Sequence, residues 1–366
     1  MNKPTRIFAE AVDPKALEQF RSAMEQDFSV AGALMPDAHV GYTLPIGGVI
    51  ATQDVVLPSW VGYDIGCGMC ALPTSFSAEE IRTNSRAIFQ DIYKRIPVGF
   101  DVNTRPVECA LNPDDLTPIG RKAFNQRKGF RVIGTLGGGN HFIEIGQDET
   151  GQAWVILHSG SRGVGHGIAT EYMRMASGTG RASEGHFGFR TDSDAGRAYI
   201  NDMNWTLELA LANRKEIMRR VVAALAQHTP GEADWSRLIN RNHNHAEEKE
   251  GLWIHRKGAT HAEKGMLGVV PGNMRDGSFI VCGKGNPAAL WSSAHGAGRV
   301  MGRKQALRSL DPAEFRETMQ GITARVDART LDESPFAYKD IFEVMRLQSD
   351  LVEVCRHITP IINIKA

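Results

Sequence analysis

Five short segments of the sequence surround an Asp, a Cys or a His with small residues, as is typical where a backbone closely approaches a ligand. They are MPDAHVG (35–41), GYDIGCGMC (62–70), GGGNHFIE (137–144), LHSGSRGVGH (157–166) and NHNH (242–245). Asp64 and Cys67, three residues apart across a glycine, could face one metal ion, and His141, His158 and His243 could complete its ligands. These mixed oxygen, sulfur and nitrogen donors indicate a catalytic divalent ion, or two ions bridged by the thiolate, rather than structural zinc.

Two alternatives compete with this metal site. Cys67 and Cys70 form a C-x-x-C pair, which occurs in redox dithiols and in half of a zinc site, but the sequence has no second such pair. A single His at a strand end, such as His141, is usually a buried, hydrogen-bonded group. Three His of this kind beside Gly, Ser or Asn favour the metal site. The roles of the remaining polar-segment His stay open: His39, His166, His245, His255 and His261.

A further His lies among the smallest side chains available, in WSSAHGAGRV (291–300). Gly296 and Gly298 would let a large ligand approach the backbone beside His295. We expect a helix directly after this stretch, whose N-terminal amides would favour an anion. A neutral imidazole there could attack phosphorus, transfer a proton or bind a metal. The residue types alone leave these three roles open.

Other segments could bind phosphate or nucleic acid. SGSRG (159–163) combines two hydroxyls, backbone amides and a guanidinium, which suits a phosphate group, although a polar turn has the same composition. The basic segments RKAFNQRKGFR (121–131) and RVMGRK (299–304) could bind single-stranded nucleic acid, the first with aromatic rings for base stacking. A solvated helix face explains them equally well.

The elements that position these residues are helices and strands in a mixed order. Apolar spacing predicts helices over 11–28, 78–95, 196–228, 299–320 and 336–357. Glycine-rich turns alternate with β-branched runs over 30–75, and GTLGGGNHFIEI and WVILHSGSRG each predict a strand that ends at polar residues. The sequence shows no internal repeat or linker. We expect an α+β fold in which residues 1–366 form a single composite domain, with central mixed β-sheets surrounded by helices.

Composition narrows the class of protein further. The 366 residues contain 42 Lys and Arg and 42 Asp and Glu, so no global field favours nucleic acid or an anionic membrane. Neither a signal peptide nor a membrane span is predicted. Five cysteines are few for this length and fit a reducing compartment. We therefore expect a cytoplasmic protein without a membrane partner.

Six long motifs, taken together and in this order, resemble the RtcB family of RNA ligases. They are GYDIGCGM, LGGGNHFIEI, LHSGSRGVG, RKGATHAEKGMLGVVPGNM, SAHGAGRVMGR and DESPFAYKDIFEVMRLQSDLVEV. The resemblance extends from about residue 30 to the final NIKA. It implies an enzyme that depends on GTP and Mn²⁺ and joins RNA ending in a 3′-phosphate or 2′,3′-cyclic phosphate to RNA with a 5′-hydroxyl.

The resemblance also implies a role for each matching residue. His295 would attack the GTP α-phosphate and carry GMP, which then passes to the RNA 3′-phosphate; a cyclic phosphate would first be hydrolysed. The 5′-hydroxyl would attack the activated end and release GMP. The family's ligands to two Mn²⁺ ions fall on Asp64, Cys67, His141, His158 and His243, with Cys67 as the bridge.

The implied guanylate contacts come from several segments. They are Asn140, His141, Phe142, Ile143, Glu144, His243, Asn244, Pro271, Gly272, Asn273, Met274, Ser278, His295, Gly296, Ala297, Gly298, Tyr338 and Lys365. Tyr338 would stack on the base, and Lys365, one residue from the end of the sequence, would belong to an ordered, buried C-terminus. Many members have PGSM where this sequence has PGNM, which puts the contact of Asn273 in doubt.

Related functions remain as alternatives. A paralogue could mainly cap 3′-phosphate ends with GMP or open cyclic phosphates, and a non-catalytic module could only bind RNA ends. The candidate nucleophile and the five candidate ligands disfavour the last. An accessory activator is possible, and we expect a monomer, although the sequence does not determine the oligomeric state.

Overall fold

Two β-sheets form the centre of the protein in a computed structural model that describes residues 3–365. The strands are β1 (Thr5–Ile7), β2 (Ser29–His39), β3 (Ile46–Thr52), β4 (Val55–Val56), β5 (Gly68–Ser77), β6 (Phe142–Gln147), β7 (Gln152–Ser159), β8 (Phe189–Arg190), β9 (Ile239–Asn242), β10 (Asn244–Lys249), β11 (Leu252–Lys257), β12 (Ala259–His261), β13 (Leu267–Pro271), β14 (Ser278–Gly283), β15 (Ser292–Ala294), β16 (Thr323–Ala324) and β17 (Val352–Lys365).

Helices surround these sheets. The α-helices are α1 (Pro14–Glu25), α2 (Pro58–Val61), α3 (Ala78–Thr83), α4 (Ser85–Arg95), α5 (Pro118–Gln126), α6 (Val164–Ser177), α7 (Asp194–Leu225), α8 (Arg303–Ser309), α9 (Pro312–Thr318) and α10 (Ile341–Leu347). Short 3-10 turns lie at Pro113–Asp115, Gly129–Val132, Trp235–Arg237, Pro287–Ala289, Leu331–Glu333 and Pro335–Ala337. The predicted α+β fold with central sheets and surrounding helices is confirmed.

The larger sheet has the order β13-β14-β17-β6-β7-β5-β9, with β16 beside β17, and the smaller has the order β1-β2-β3-β11-β10. Two further strand pairs are β12 with β15 and β4 with β8. Strands far apart in the sequence are neighbours, since β17 pairs with β6 and β11 pairs with β3. These pairings bring the separate polar segments to one place.

Strand alternation separates a core face from a site face in the larger sheet. In β6, Ile143 and Ile145 pack with Ile217 and Val221 of α7 in one hydrophobic cluster. Phe142 packs in a different cluster, since successive side chains in a strand point to opposite faces. Helix α7 therefore covers one face of this sheet, and the other face carries a second hydrophobic cluster next to the site.

Most predicted helices are confirmed, but the segments around the site differ. The prediction of a helix over 336–357 is wrong beyond α10, because the β-branched run from Val352 forms β17 between β14 and β6. The helix expected directly after His295 begins only at Arg303. The 299–320 segment contains two short helices, separated where the Asp311 side chain caps α9.

Two further observations limit what the sequence patterns imply. Phe124 of the basic segment 121–131 is buried and Phe130 packs against the same core cluster, so these rings are not free to stack on a base. In the described part of the chain, residues 3–365, no helix combines the length and the apolar character that crossing a membrane requires.

Candidate metal and nucleotide site

The five predicted metal ligands meet at the ends of adjacent strands. Asp64 and Cys67 lie in the turn before β5, and β5 lies between β7 and β9. His158 is near the end of β7, His141 directly precedes β6, and His243 connects β9 to β10. The sheet order thus turns five distant positions of the sequence into one cluster.

The ligand atoms of this cluster converge on a common point. The Cys67 Sγ lies 3.1 Å from His158 Nε2 and 3.5 Å from His141 Nε2. His158 Nε2 is 3.3 Å from His243 Nε2, and His141 Nε2 is 3.5 Å from an Asp64 carboxylate oxygen. The three side chains Cys67, His141 and His158 are all buried.

Backbone carbonyls orient two of these imidazoles. The Nδ1 atom of His141 lies 2.9 Å from the Leu136 carbonyl oxygen, and Nδ1 of His158 lies 3.1 Å from that of Asn140. A proton on Nδ1 donated to each carbonyl leaves Nε2 with its lone pair facing the cluster. Such partners are what hold metal-binding histidines in their tautomer.

The protonation of the cluster fits a bound cation. Burial lowers the pKa of His158 and His243 far below its usual value, so both imidazoles are neutral and can act as ligands. Burial and the Asp64 charge raise the pKa of Cys67, so its thiolate form requires positive charge nearby. Burial alone would raise the pKa of Asp64. Hydrogen bonds and nearby charges, chiefly those of His141, outweigh burial and lower the pKa of Asp64 to about 2.

His295 lies beside this cluster, with its ring centroid 4.8 Å from that of His243. Its Nδ1 is 2.7 Å from an Asp37 carboxylate oxygen that also accepts hydrogen bonds from the backbone amides of His295 and Gly296. Asp37 is completely buried. The carboxylate therefore fixes the backbone at His295 and lies next to the ring, and a ring that carries its proton on Nδ1 presents Nε2 as a nucleophile.

Two glycines make room for the His295 ring and its support. Gly298 has φ +74°, and a Cβ there would lie 2.3 Å from the Asp37 carbonyl oxygen. Gly258 has φ +62°, and a Cβ there would lie 3.0 Å from the His295 Cε1. The small residues around His295 thus serve close packing as well as access for a ligand.

A cavity of about 280 Å³ opens beside His295. Most of the predicted guanylate-contact residues line it: Asn140, Phe142, Glu144, Pro271, Gly272, Asn273, Met274, His295, Gly296, Ala297, Gly298, Tyr338 and Lys365. His39, Arg299, Arg303 and Asn363 contribute as well. The candidate nucleophile His295 therefore faces a cavity lined by both apolar and polar side chains.

Two buried titratable side chains, Lys365 and Glu144, line this cavity. Lys365 is buried in β17, with its ammonium 5.0 Å from the Phe142 ring centroid and in contact with Glu333. Glu144 is buried nearby, and burial raises its pKa to about 8, although Ser278 and Lys365 work in the other direction. The structure thus buries Lys365, as the sequence predicted, and places it in β17.

The remaining predicted contact residues lie outside this cavity. Ile143 points into the core on the opposite face of β6. Ser278 is buried next to Glu144, while His141 and His243 lie in the cluster of candidate metal ligands. The Asn244 amide donates to the Asp64 carbonyl and accepts from the Gly258 amide, so it braces backbone segments of the site.

Asn273, where the sequence departs from the family motif, is occupied by its own turn. Its side-chain oxygen accepts from the amides of Arg275 and Asp276, each at 3.0 Å, and its Nδ2 donates to the Asp276 carboxylate. The side chain therefore stabilises the loop at the cavity edge, while residue 273 still lines the cavity.

The phosphate-type segment SGSRG also uses its polar groups internally. Ser159 donates to the Leu136 carbonyl and Ser161 to the Ile65 carbonyl. The Arg162 side chain donates to the Gly99 carbonyl at 2.8 Å and to Thr135. This segment fixes the loops around the metal cluster.

Three residues that support the site were not singled out in the sequence. Asp37 lay in a noted segment, but only its contact with His295 reveals its role. Arg214, in the middle of α7, donates to the carbonyls of Gly66 and Ser159. Glu333 contacts Lys365 and accepts from the Tyr338 hydroxyl at 2.8 Å. Each acts through a long-range contact, which has no local signal in the sequence.

His245, Glu247 and His261 form a second cluster of residues whose types commonly bind metal ions. The His245 and His261 rings are stacked, with centroids 4.8 Å apart. The buried guanidinium of Arg256 pairs with Glu247 and lies 3.2 Å from the His245 Nε2. The positive charge of Arg256 therefore already compensates the negative charge of this cluster.

Glu144 gives this protein a pH-dependent stability. Because its folded-state pKa is raised to about 8 from 4.5, its contribution is fully present below pH 4.5 and is lost as the pH rises through 8. We expect wild-type stability to fall by up to about 1.4 kcal/mol per pH unit across this window, relative to Glu144→Gln. Urea unfolding of both proteins across this pH range measures the difference.

The matched control for this measurement is Glu248→Gln, which changes an exposed carboxylate. Its pH profile should run parallel to that of the wild type. Parallel profiles for wild type and Glu144→Gln would show instead that Glu144 titrates as an ordinary carboxyl group.

Comparison with known proteins agrees with this geometry. The family model described as tRNA-splicing ligase RtcB matches residues 19–120 and 115–366. The RNA-splicing ligase RtcB of Escherichia coli strain K12 is 34% identical over 399 aligned positions, covering 100% of this chain and 98% of that protein. The RNA-splicing ligase RtcB of Mycobacterium bovis is 31% identical, covering 90% and 96%. The tRNA-splicing ligase RtcB of Pyrobaculum aerophilum is 29% identical, covering 93% and 90%.

The family match spans nearly the whole chain, and the alignment with the Escherichia coli protein covers 100% of this chain. The resemblance predicted from the six motifs is therefore confirmed. The chain belongs to the RtcB family and is an enzyme of that ligase family.

Proposed function

We propose that this protein joins RNA ends carrying a 3′-phosphate or 2′,3′-cyclic phosphate to RNA with a 5′-hydroxyl, using GTP and Mn²⁺, in RNA repair or tRNA splicing. The observation that carries the proposal is the position of His295. Its ring nitrogen Nδ1 lies 2.7 Å from the Asp37 carboxylate, and the ring lies beside the cluster of candidate metal ligands. It also lines the cavity that contains most of the predicted guanylate-contact residues. A protein that only binds RNA has no need of such a nucleophile.

In the first step, Nε2 of His295 attacks the α-phosphorus of GTP. The bond from that phosphorus to the pyrophosphate oxygen breaks, and pyrophosphate leaves. Asp37 holds the Nδ1 proton and stabilises the positive charge that develops on the ring, as carboxylates do for catalytic imidazoles. The product is a histidine–GMP phosphoramidate.

The next two steps move GMP and then release it. An oxygen of the RNA 3′-phosphate attacks the phosphorus of His295–GMP, the nitrogen–phosphorus bond breaks, and His295 regains its lone pair. The 5′-hydroxyl of the second RNA then attacks the activated 3′-phosphorus and gives up its proton to solvent. A new phosphodiester forms, the bond between the 3′-phosphorus and the GMP oxygen breaks, and GMP leaves.

Two Mn²⁺ ions suit the donor set of Asp64, Cys67, His141, His158 and His243. The neutral imidazoles and the buried thiol described above fit a site that is completed by positive charge. When bound, such ions polarise phosphoryl oxygens and orient the attacking group. Ser161 and Arg214 hold the loops that carry the ligands.

Two titratable groups that line the cavity, Lys365 and Glu144, favour guanine over adenine. The guanine edge presents an acceptor, O6, beside two donors, N1–H and the exocyclic amine. Lys365 is a donor only, and Glu144, which is protonated at neutral pH before a ligand binds, becomes an acceptor only when the donors of a bound guanine hold it as the carboxylate. Phe142 and Tyr338 supply aromatic surface in the same cavity.

The experiment that tests this function uses GTP labelled at the α-phosphate, Mn²⁺, and RNA with a 3′-phosphate and a 5′-hydroxyl. The proposal predicts label on the protein, then on the 3′ RNA end, and finally a joined RNA with release of GMP. Label that reaches RNA without joining would favour the capping alternative. Absence of label on the protein and on RNA would overturn both.

Asp37→Asn is expected to slow guanylylation of His295 by about a hundredfold, because an amide cannot stabilise the ring charge. Its shape is nearly unchanged, so the folded protein should persist, with GTP binding within about threefold of wild type. Single-turnover labelling and equilibrium GTP binding separate the two effects. Equal loss of binding and rate would assign Asp37 a purely structural role.

A further inference from the structure

We propose that Tyr42, backed by Tyr63 and His166, forms a stacking site for a nucleobase at one of the two RNA ends that this enzyme joins. This inference rests on the proposed function, because it assigns part of the substrate to a place beside the same centre. The inference is based on the exposed ring of Tyr42, which packs against Tyr63 and lines the same cleft as His295 and several of the candidate metal ligands.

The three rings form a continuous aromatic group. The rings of Tyr63 and His166 are stacked, with centroids 4.8 Å apart and an interplanar angle of 22°. Tyr42 meets Tyr63 edge to face, at 6.3 Å and 89°. Tyr63 is half-buried, whereas the Tyr42 side chain is 71% exposed. The packed pair thus fixes one edge of Tyr42 and leaves the rest of that ring open.

The backbone beneath Tyr42 is fixed as well. The Gln19 side chain on α1 donates to the Gly41 carbonyl at 2.9 Å and accepts from the Gly41 amide at 3.1 Å. It also donates to the Tyr42 carbonyl. A large aromatic ring held at high exposure by fixed backbone carries little ordering cost when a ligand binds.

This aromatic group is continuous with the catalytic centre. A cleft of about 960 Å³ is lined by Tyr42 and Tyr63 and also by Asp64 and Cys67. His243 and His295 line it too. Tyr63 directly precedes a candidate metal ligand in the sequence, so a base on Tyr42 would belong to a nucleotide near the reacting phosphate.

Two lysines line the cleft beside this aromatic group. The Lys257 ammonium lies 5.9 Å from the Tyr42 ring centroid and donates to the Ser59 carbonyl. Lys339 donates to the carbonyls of Pro36 and Ala38. Glu184 and Asp37 compensate part of the charge of Lys257 and Lys339, respectively, and the remainder attracts a phosphate. Aromatic rings alternating with such cations are how proteins bind single-stranded RNA without reading its sequence.

The test measures RNA binding without GTP, so it does not depend on joining. Mn²⁺-loaded wild type, Tyr42→Leu and Tyr42→Phe are titrated with fluorescent oligoribonucleotides by anisotropy. One set ends in a 3′-phosphate and the other in a 5′-hydroxyl, each with the terminal base present or replaced by an abasic ribose. Trp235→Leu, an exposed aromatic that lies outside this cleft, is the matched control.

For at least one of the two RNA ends, we expect Tyr42→Leu to weaken binding about tenfold when the terminal base is present, and Tyr42→Phe and Trp235→Leu to stay within about twofold of wild type. Removing the base should weaken RNA binding by the wild type by a similar factor. It should hardly change RNA binding by Tyr42→Leu, because the interaction between the ring and the base is already lost in that variant. The end that shows this coupling identifies the stacked nucleotide.

Two results would overturn the stacking site. The first is unchanged binding of both base-containing RNA ends by Tyr42→Leu. The second is an equal loss for base-containing and abasic RNA, which would indicate a general change of the cleft. If wild type failed to label His295 with GMP but showed the coupling, the proposed function would fail while the stacking site would stand.

Discussion

His295→Ala is expected to lose covalent GMP labelling and RNA joining by at least about a thousandfold, because it removes the atom that forms the covalent bond. The ring is partly exposed to the cavity, so its removal should leave the fold intact. Manganese binding should persist too, because His295 lies beside the ligand cluster and is not one of the five proposed ligands. Rates of labelling and Mn²⁺ titration check both statements.

The matched control for this variant is His228→Ala. His228 is also partly buried and lies 3.5 Å from the Asp91 carboxylate, away from the cavities that contain His295. It should label and join RNA like the wild type. Undiminished labelling of His295→Ala would contradict the assignment of the nucleophile.

Arg214→Met is expected to lower the free energy of unfolding by about 3 to 5 kcal/mol. The guanidinium is completely buried in the middle of α7. It donates to the Gly66 and Ser159 carbonyls at 2.8 and 3.0 Å, and to the side-chain oxygens of Asn240 and Asn242 at 2.6 Å each. Methionine would leave these acceptors buried without a donor. Urea unfolding measures the loss.

The same variant should weaken Mn²⁺ binding about tenfold to a hundredfold, as loss of a group behind metal ligands commonly does. The reason is that Gly66 precedes Cys67 and Ser159 follows His158, so Arg214 holds the two ligand segments together. Arg219→Met, an exposed change on the same helix, should alter stability by less than about 1 kcal/mol. If Arg214→Met and Arg219→Met were equally stable, Arg214 would not be the residue that holds these two segments together.

Much of the candidate site could be predicted from the sequence because the candidate metal ligands carry local signals. Asp64 and Cys67 share one glycine-rich turn, and His141 and His158 lie at the edges of apolar strands. The structure places these residues and His243 in one cluster. Similarly, helical spacing predicted α1, α4 and α7, whose apolar faces cover the sheets.

The remaining features depend on pairing between distant segments. The last predicted helix was wrong beyond α10 because β17 gains its partners from β14 and β6, which are remote in the sequence. Asp37 and Arg214 become meaningful only when β2 and α7 lie next to His295 and the ligand turn. Glu333 likewise acquires a role only through the C-terminal strand. Such contacts leave no periodic or local pattern to recognise.

The central claim is that His295 carries GMP during the reaction, and one measurement tests it most directly. The protein is incubated with GTP and Mn²⁺ without RNA, and tandem mass spectrometry locates any added GMP. The account predicts one GMP per chain on His295, lost again when RNA with a 3′-phosphate is added. GMP on another side chain, such as Lys257 or Lys365, or a protein that gains no GMP at all, would contradict it.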